Sequence, residues 1–176
     1  MKTRVASTAL AATLAATSGL AQQVGQPAPD VRAPSTAGKD LGPADFKGQW
    51  LAIFFYPRAF TPGCTKQSCS MRDGYEALVK ENIAVLGVSL DALEKQRQFK
   101  EKYQLPFELL SDADKKVAKA FGVLGPMEAY AQRRTFIISP EGTIAAVIEK
   151  VEVSDHAAQV LNVIKALPES LRRKQD

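Results

Sequence analysis

Cysteine is scarce in this chain of 176 residues: there are two, Cys64 and Cys69, beside a single histidine, His156. Two thiols and one distant imidazole do not make a four-ligand zinc site, so no metal is expected. No acidic residue occurs before Asp30. The apolar run near the N-terminus is too short and too rich in Ala and Thr to span a membrane, and no cysteine follows it to carry a lipid. Strong charge is also missing. The formal net charge is +4, Lys2 and Arg4 belong to the N-terminal stretch, and Arg172-Arg173-Lys174 reads as a solvated tail, so nucleic acid is not an expected partner. There is no internal repeat and no linker long enough to divide a domain.

What is present begins with a leader. Lys2 and Arg4 precede an Ala/Leu/Thr run from Val5 to Thr17, and Gly19-Leu20-Ala21 offers small residues for cleavage. Residues 1–21 therefore read as a secretory signal peptide, the alternative being a disordered Ala-rich leader. Residues 22–176 are then a single domain of ordinary size with its own core. Export, expected to the bacterial periplasm, would bring both cysteines into an oxidising compartment, with no membrane attachment after cleavage.

The most informative stretch is Pro57 to Cys69, PRAFTPGCTKQSC. Leu51 to Tyr56, LAIFFY, has the continuous apolar character of a strand buried on both faces. After the stretch, Met71, Tyr75, Leu78 and Val79 recur at helical spacing. Pro62-Gly63 breaks the strand and turns the chain, which puts Cys64 in the first turn of the helix. Unpaired N–H groups and the positive end of the helix dipole meet a thiol there and favour thiolate. The N–H groups of Gly63 and Cys64 are also ready donors. Thr61 can bring its hydroxyl to the same turn, or it can simply cap the helix. Pro57 lacks an N–H and can screen the sulfur from water. In an intact helix the Cα atoms of Cys64 and Cys69 would be about 8.6 Å apart, beyond the roughly 7 Å limit for a disulfide. If they bond, the helix must unwind locally, so the pair reads as one that opens and closes.

The rest of the chain alternates strands and helices. Gln22 to Gly48 reads as loops with short strands and a helical turn at Pro43–Phe46. Ile83 to Leu90 is a second buried strand. Asp91 with Glu94 suggests a capping box for a helix reaching about Gln104. A short strand from Phe107 to Leu110 and a helix from Ala113 to Phe121 follow, the latter opened by Ser111 or Asp112 and stopped by Gly122. Thr135–Ser139 and Thr143–Glu149 form a hairpin, and Asp155 to Leu167 a last helix. Asp112 and Asp114 are expected as helix caps and His156 as a surface residue near a helix start. This order gives an α/β fold with a central mixed β-sheet flanked by helices.

The segment FFYPRAFTPGCTKQSC resembles the active-site segment of the peroxiredoxins. It carries P-x-x-x-T-x-x-C as Pro57, Thr61 and Cys64, and its TPGCT core with a second cysteine five positions on resembles the Q, or bacterioferritin-comigratory, subgroup. The similarity runs from about Val24 to Leu167. It implies a thioredoxin-like fold and a thiol peroxidase that uses no metal, haem or flavin. Its substrates would be hydrogen peroxide and organic hydroperoxides. Cys64 would be the peroxidatic sulfur and Cys69 the resolving one, and a thioredoxin-like donor would reduce the resulting disulfide. Gly74 would ease the unwinding by weakening the helix interior. The family motif R-x-x-F-x-I is matched from Arg133 to Ile138, which makes Arg133 the guanidinium expected beside Cys64, with Thr61 and Gly63 completing the peroxide site. Arg134 would point to the opposite face if the strand is regular, and is the alternative one residue on. A monomer is expected, with a homodimer as the alternative.

Two other classes compete. A thioredoxin-type thiol-disulfide oxidoreductase would usually carry C-x-x-C, and the spacing here is C-x4-C; it would also carry a proline before the strand that Arg133 enters, and none occurs from Met127 to Ser139. A non-enzymatic exported domain would use the cysteines as a structural staple.

Overall fold

The structure is a computed structural model in which residues 23–172 are described. The leader expected at 1–21 and the Arg173-Lys174 end of the basic cluster lie outside the described residues.

Two short strands, β1 (Ala33–Pro34) and β2 (Asp40–Leu41), pair antiparallel and are followed by the anticipated helical turn, a 3-10 segment at Pro43–Phe46. The main sheet contains β3 (Trp50–Phe55), β4 (Ile83–Ser89), β5 (Glu108–Ser111), β6 (Arg134–Ile138) and β7 (Ile144–Ile148). Its spatial order is β5-β4-β3-β6-β7. The pairs β3–β4 and β4–β5 are parallel, while β3–β6 and β6–β7 are antiparallel, so the sheet is mixed as expected. Helices α1 (Pro62–Asp73), α2 (Tyr75–Lys80), α3 (Leu93–Tyr103), α4 (Lys116–Ala120), α5 (His156–Ala166) and α6 (Glu169–Arg172) complete the chain.

Every residue of β3 is buried, because it is the central strand with a core on each face. Trp50, Ala52 and Phe54 face one core with Met71, Leu78, Phe99, Ile137 and Val160; Leu51, Ile53 and Phe55 face the other with Val117, Phe121, Phe136 and Ile138. This is the period-2 alternation of a strand, applied to a strand with no solvent side.

Three local expectations need correction. Asp91 does not cap α3: the cap position is Ala92, and the Asp91 carboxylate accepts from Ala59 N–H at 2.7 Å, Ser89 Oγ at 2.8 Å and Lys95 Nζ at 2.6 Å. It is drawn into fixing the loop that leaves β3, where its partners are stronger. The helix expected from Ala113 starts later, at Lys116, because Lys115 turns into the left-handed region at φ 64°. Asp112 still caps it, accepting from the N–H groups of Val117 at 2.9 Å and Ala118 at 2.7 Å. Finally, the stretch from Cys64 to Val79 is two helices, not one. The break at Gly74 rephases the second, which leaves Val79 52% exposed instead of in the core.

Candidate active site

The chain leaves β3 through Tyr56, buried with its hydroxyl 2.5 Å from Gln96 Oε1, and the half-buried Pro57. The Asp91 carboxylate then holds Ala59. Phe60 adopts φ 68°, an uncommon conformation for a large side chain, with its ring 5.2 Å from that of Phe99. Thr61 occupies the N-cap position of α1 in extended backbone, and Pro62 fills the first helical position, where a missing N–H costs nothing. The Thr61 hydroxyl does not cap the helix. It donates instead to the Arg58 carbonyl at 2.9 Å, in the turn just before the helix.

Cys64 is therefore the third helical residue, 1% exposed. Together with Gly63 it supplies N–H groups that the first turn of a helix leaves without intrahelical acceptors. Arg133 reaches the same point from the residue before β6, placing Nη2 3.4 Å from Cys64 Sγ. A guanidinium at that range can stabilise charge that builds on a leaving oxygen. Gly63 permits the approach: a Cβ there would stand 3.2 Å from Arg133 Nη2. Of the expected site residues, the structure thus brings together Cys64, Gly63 and Arg133, with Thr61 and Pro57 on the segment entering the helix. Arg134 pairs in register with Phe55, a residue of the opposite core.

Three further residues belong to this constellation and were not anticipated. Arg133 Nη1 donates to Gln67 Oε1. The other end of that amide, Nε2, lies 3.4 Å from Nδ1 of His156, and His156 Nε2 lies 2.9 Å from Thr135 Oγ1. Gln67, Thr135 and His156 are all completely buried. His156 was expected on the surface. It is inside because α5 begins there and packs its first turn on α1, with Ser70 Oγ accepting the His156 N–H at 2.8 Å and the Ala157 N–H at 3.4 Å. Burial, reinforced by the Arg133 charge, pushes its pKa down to about 4. For Gln67 a signal existed: Cys64, Gln67, Ser68 and Met71 fall at i, i+3, i+4 and i+7, and all four are the buried positions of α1.

Cys69 is half-buried on the same unbroken helix, so both thiols are free and the separation required by helix geometry stands between them. Among the described residues, the buried side-chain groups with no protein partner are the hydroxyls of Thr65 and Ser68, both between the two cysteines. Gly74 plays a different part from the one expected. It sits at the junction of α1 and α2, where a Cβ would come within 2.4 Å of Ala157 Cβ, so its role is to let α5 approach.

Comparison with known proteins gives concordant results. Residues 24–147 match the AhpC/TSA family. The chain is 41% identical over 145 residues to the putative peroxiredoxin bcp of Coxiella burnetii, covering 79% of this chain and 96% of that one. It is 38% identical over 153 residues to peroxiredoxin Bcp of Bacillus subtilis, covering 84% and 98%. Among solved structures, the bacterioferritin comigratory protein of Xanthomonas campestris, described for its alkyl peroxide reduction activity, superposes with a TM-score of 0.74 at 30% identity, covering 82% of this chain and 98% of that one.

Proposed function

This chain belongs to the AhpC/TSA family, on its peroxiredoxin Q (Bcp) branch and with the thioredoxin-like fold, and we propose that it reduces peroxides through Cys64 and closes its cycle with Cys69. The observation that carries this reading is the buried Cys64 sulfur at a helix start with Arg133 Nη2 3.4 Å away. The Cys64 thiolate attacks one peroxide oxygen, an S–O bond forms as the O–O bond breaks, and the departing alkoxide or hydroxide takes up a proton. Sulfur loses two electrons and the peroxide gains them. Arg133 and the N–H groups of Gly63 and Cys64 are the fixed donors for that charge, and Thr61 offers a hydroxyl at the entrance. Pro57 helps to keep the corner dry.

In the second step Cys69 sulfur attacks the Cys64 sulfenic acid; an S–S bond forms and the hydroxyl leaves as water with the Cys69 proton. The helix geometry requires residues 64–69 to unwind first. A thioredoxin-type dithiol then returns two electrons to the disulfide. Residues 1–21 act as an export signal to the periplasm and the mature protein works as a monomer, readings supported by the basic and apolar pattern of the leader and by exposed apolar side chains scattered over separate elements. The mass of the secreted chain and sedimentation of the purified protein test them.

The central test is mass spectrometry of both cysteines after one equivalent of peroxide. Wild type should yield one intramolecular disulfide, Cys69→Ser should stop at sulfenic acid on Cys64 after one turnover, and Cys64→Ser should consume no peroxide. Equal consumption by wild type and Cys64→Ser would end the reading.

A further inference from the structure

We propose that His156 is a positioning residue for Arg133, acting through the Gln67 amide, and that the same contact holds the segment between the cysteines in its helical form. The proposal rests on the peroxidase reading.

The orientation of each group in the chain is fixed by its neighbour. A guanidinium only donates hydrogen bonds, so the Gln67 atom facing Arg133 Nη1 must be the carbonyl oxygen. The Gln67 atom facing His156 is then the NH2 group, which needs an acceptor, and Nδ1 at 3.4 Å can be that acceptor only when unprotonated. The ring proton is thereby placed on Nε2, from which it reaches Thr135 Oγ1 at 2.9 Å. A ring carrying protons on both nitrogens would confront the Gln67 NH2 donor to donor. The Phe54 ring stands edge-on to the imidazole with centroids 5.7 Å apart, so the ring is held by packing as well.

These contacts tie two steps together. Arg133 has one arm on Cys64 and the other on Gln67; if the amide can swing, the guanidinium loses the partner that aims it at the sulfur. Gln67 also lies inside the segment that must unwind before Cys69 can reach Cys64. Its bond to His156 and the Ser70 contacts to the His156 and Ala157 N–H groups attach successive turns of α1 to the start of α5. Removing the ring acceptor should therefore slow sulfenic acid formation and speed disulfide closure. A residue that only fills space would not move the two rates in opposite directions.

The test measures both steps in the full chain by rapid quench and mass spectrometry. Oxidation is read as sulfenic acid formation in a Cys69→Ser background, and closure as disulfide formation from the oxidised protein with Cys69 intact. His156→Leu, which keeps apolar volume without an acceptor, should oxidise about tenfold more slowly, the scale of one lost buried hydrogen bond, and close severalfold faster. His156→Asn, whose side-chain oxygen can stand where Nδ1 stood, should restore most of the oxidation rate. Thr135→Val keeps the shape of the buried site and releases only the Nε2 contact, so it decides the matter should His156→Leu fail to fold; it should oxidise severalfold more slowly. Wild-type rates in all three variants, or an Asn variant as slow as the Leu variant, would overturn the proposal. If wild type itself forms no sulfenic acid, it is the peroxidase reading that has failed.

Discussion

The two faces of the central sheet are built to different standards. Behind it, Leu51, Ile53, Phe55, Leu86, Val88, Phe121, Phe136 and Ile138 form a core of hydrocarbon, in which the Phe121 and Phe136 rings meet at 4.9 Å. In front, the core around Phe54, Met71 and Phe99 also encloses Cys64, and Gln67, Ser68, Thr135 and His156 are buried beside it. A sheet with two apolar faces would bury more hydrocarbon and leave no hydroxyl unpaired. The difference teaches that the rear layer serves packing, while the front layer, itself rich in buried aromatic and aliphatic side chains, also holds a reactive sulfur and the polar groups that orient its partner. The first residues to disturb are therefore different ones depending on whether folding or chemistry is being asked about.

The largest effect should come from the rear face. Phe136→Ala removes a fully buried ring packed against Phe55 and Phe121, and should cost about 3–5 kcal/mol in urea unfolding. The peroxide rate per folded molecule should change little. A parallel loss of activity in protein that remains folded would break the proposed division between the faces. Next comes the pair Arg133→Met and Arg134→Met, which are adjacent in sequence and on opposite faces. Removing one preorganised donor usually costs about 10²- to 10³-fold in rate, so Arg133→Met should slow Cys64 oxidation by that order, whereas Arg134→Met should stay within about twofold. Comparable losses would mean that the site is not confined to the front.

The same contrast explains what the sequence discloses. The rear face and the sheet are legible because hydrocarbon repeats with period 2 in LAIFFY and IAVLGVSL, and because turns carry Pro and Gly. Cys64 is legible because strand, Pro-Gly turn and helix meet in one stretch. The burial of Gln67 was legible in its helical spacing with Cys64, Ser68 and Met71, but what it does there and the burial of His156 were not: a buried polar residue is recognised by its partner, and these partners are 66 and 89 residues away along the chain. Asp91 misled for the converse reason, since its local pattern matched a cap while a long-range N–H, that of Ala59, claimed the carboxylate.

Acid should expose the front face through His156. Its folded pKa of about 4 lies below the ordinary value of 6.5, so the unfolded chain takes up a proton first and stability is lost as pH falls from about 6.5 toward 4. Between pH 7 and 4.5 this amounts to about 2 kcal/mol. Asp112 works the other way. Burial raises its pKa to about 6 despite two N–H bonds, so it adds stability as pH falls from about 6 to 3.8. Urea titrations at the two pH values should therefore show His156→Asn losing less stability than wild type on acidification and Asp112→Asn losing more. Identical shifts in all three proteins would refute both assignments.

The smallest expected change is the one that bears most directly on the unwinding step. Thr65 and Ser68 sit between the cysteines with buried hydroxyls that find no protein partner, and such a group costs about 1–3 kcal/mol in the folded state. Unwinding returns both hydroxyls to water, so their cost is relieved along the motion that brings Cys69 to Cys64. Ser68→Ala and Thr65→Val remove the hydroxyls with little change of shape. Each should stabilise the reduced protein by about 1 kcal/mol and slow disulfide closure about fivefold, with Cys64 oxidation unchanged because neither hydroxyl is bonded to a group on the path from His156 to Arg133. If closure is as fast in the double variant as in wild type, the unpaired hydroxyls do not set the cost of opening this helix, and the Gln67 and Ser70 contacts to α5 carry it alone.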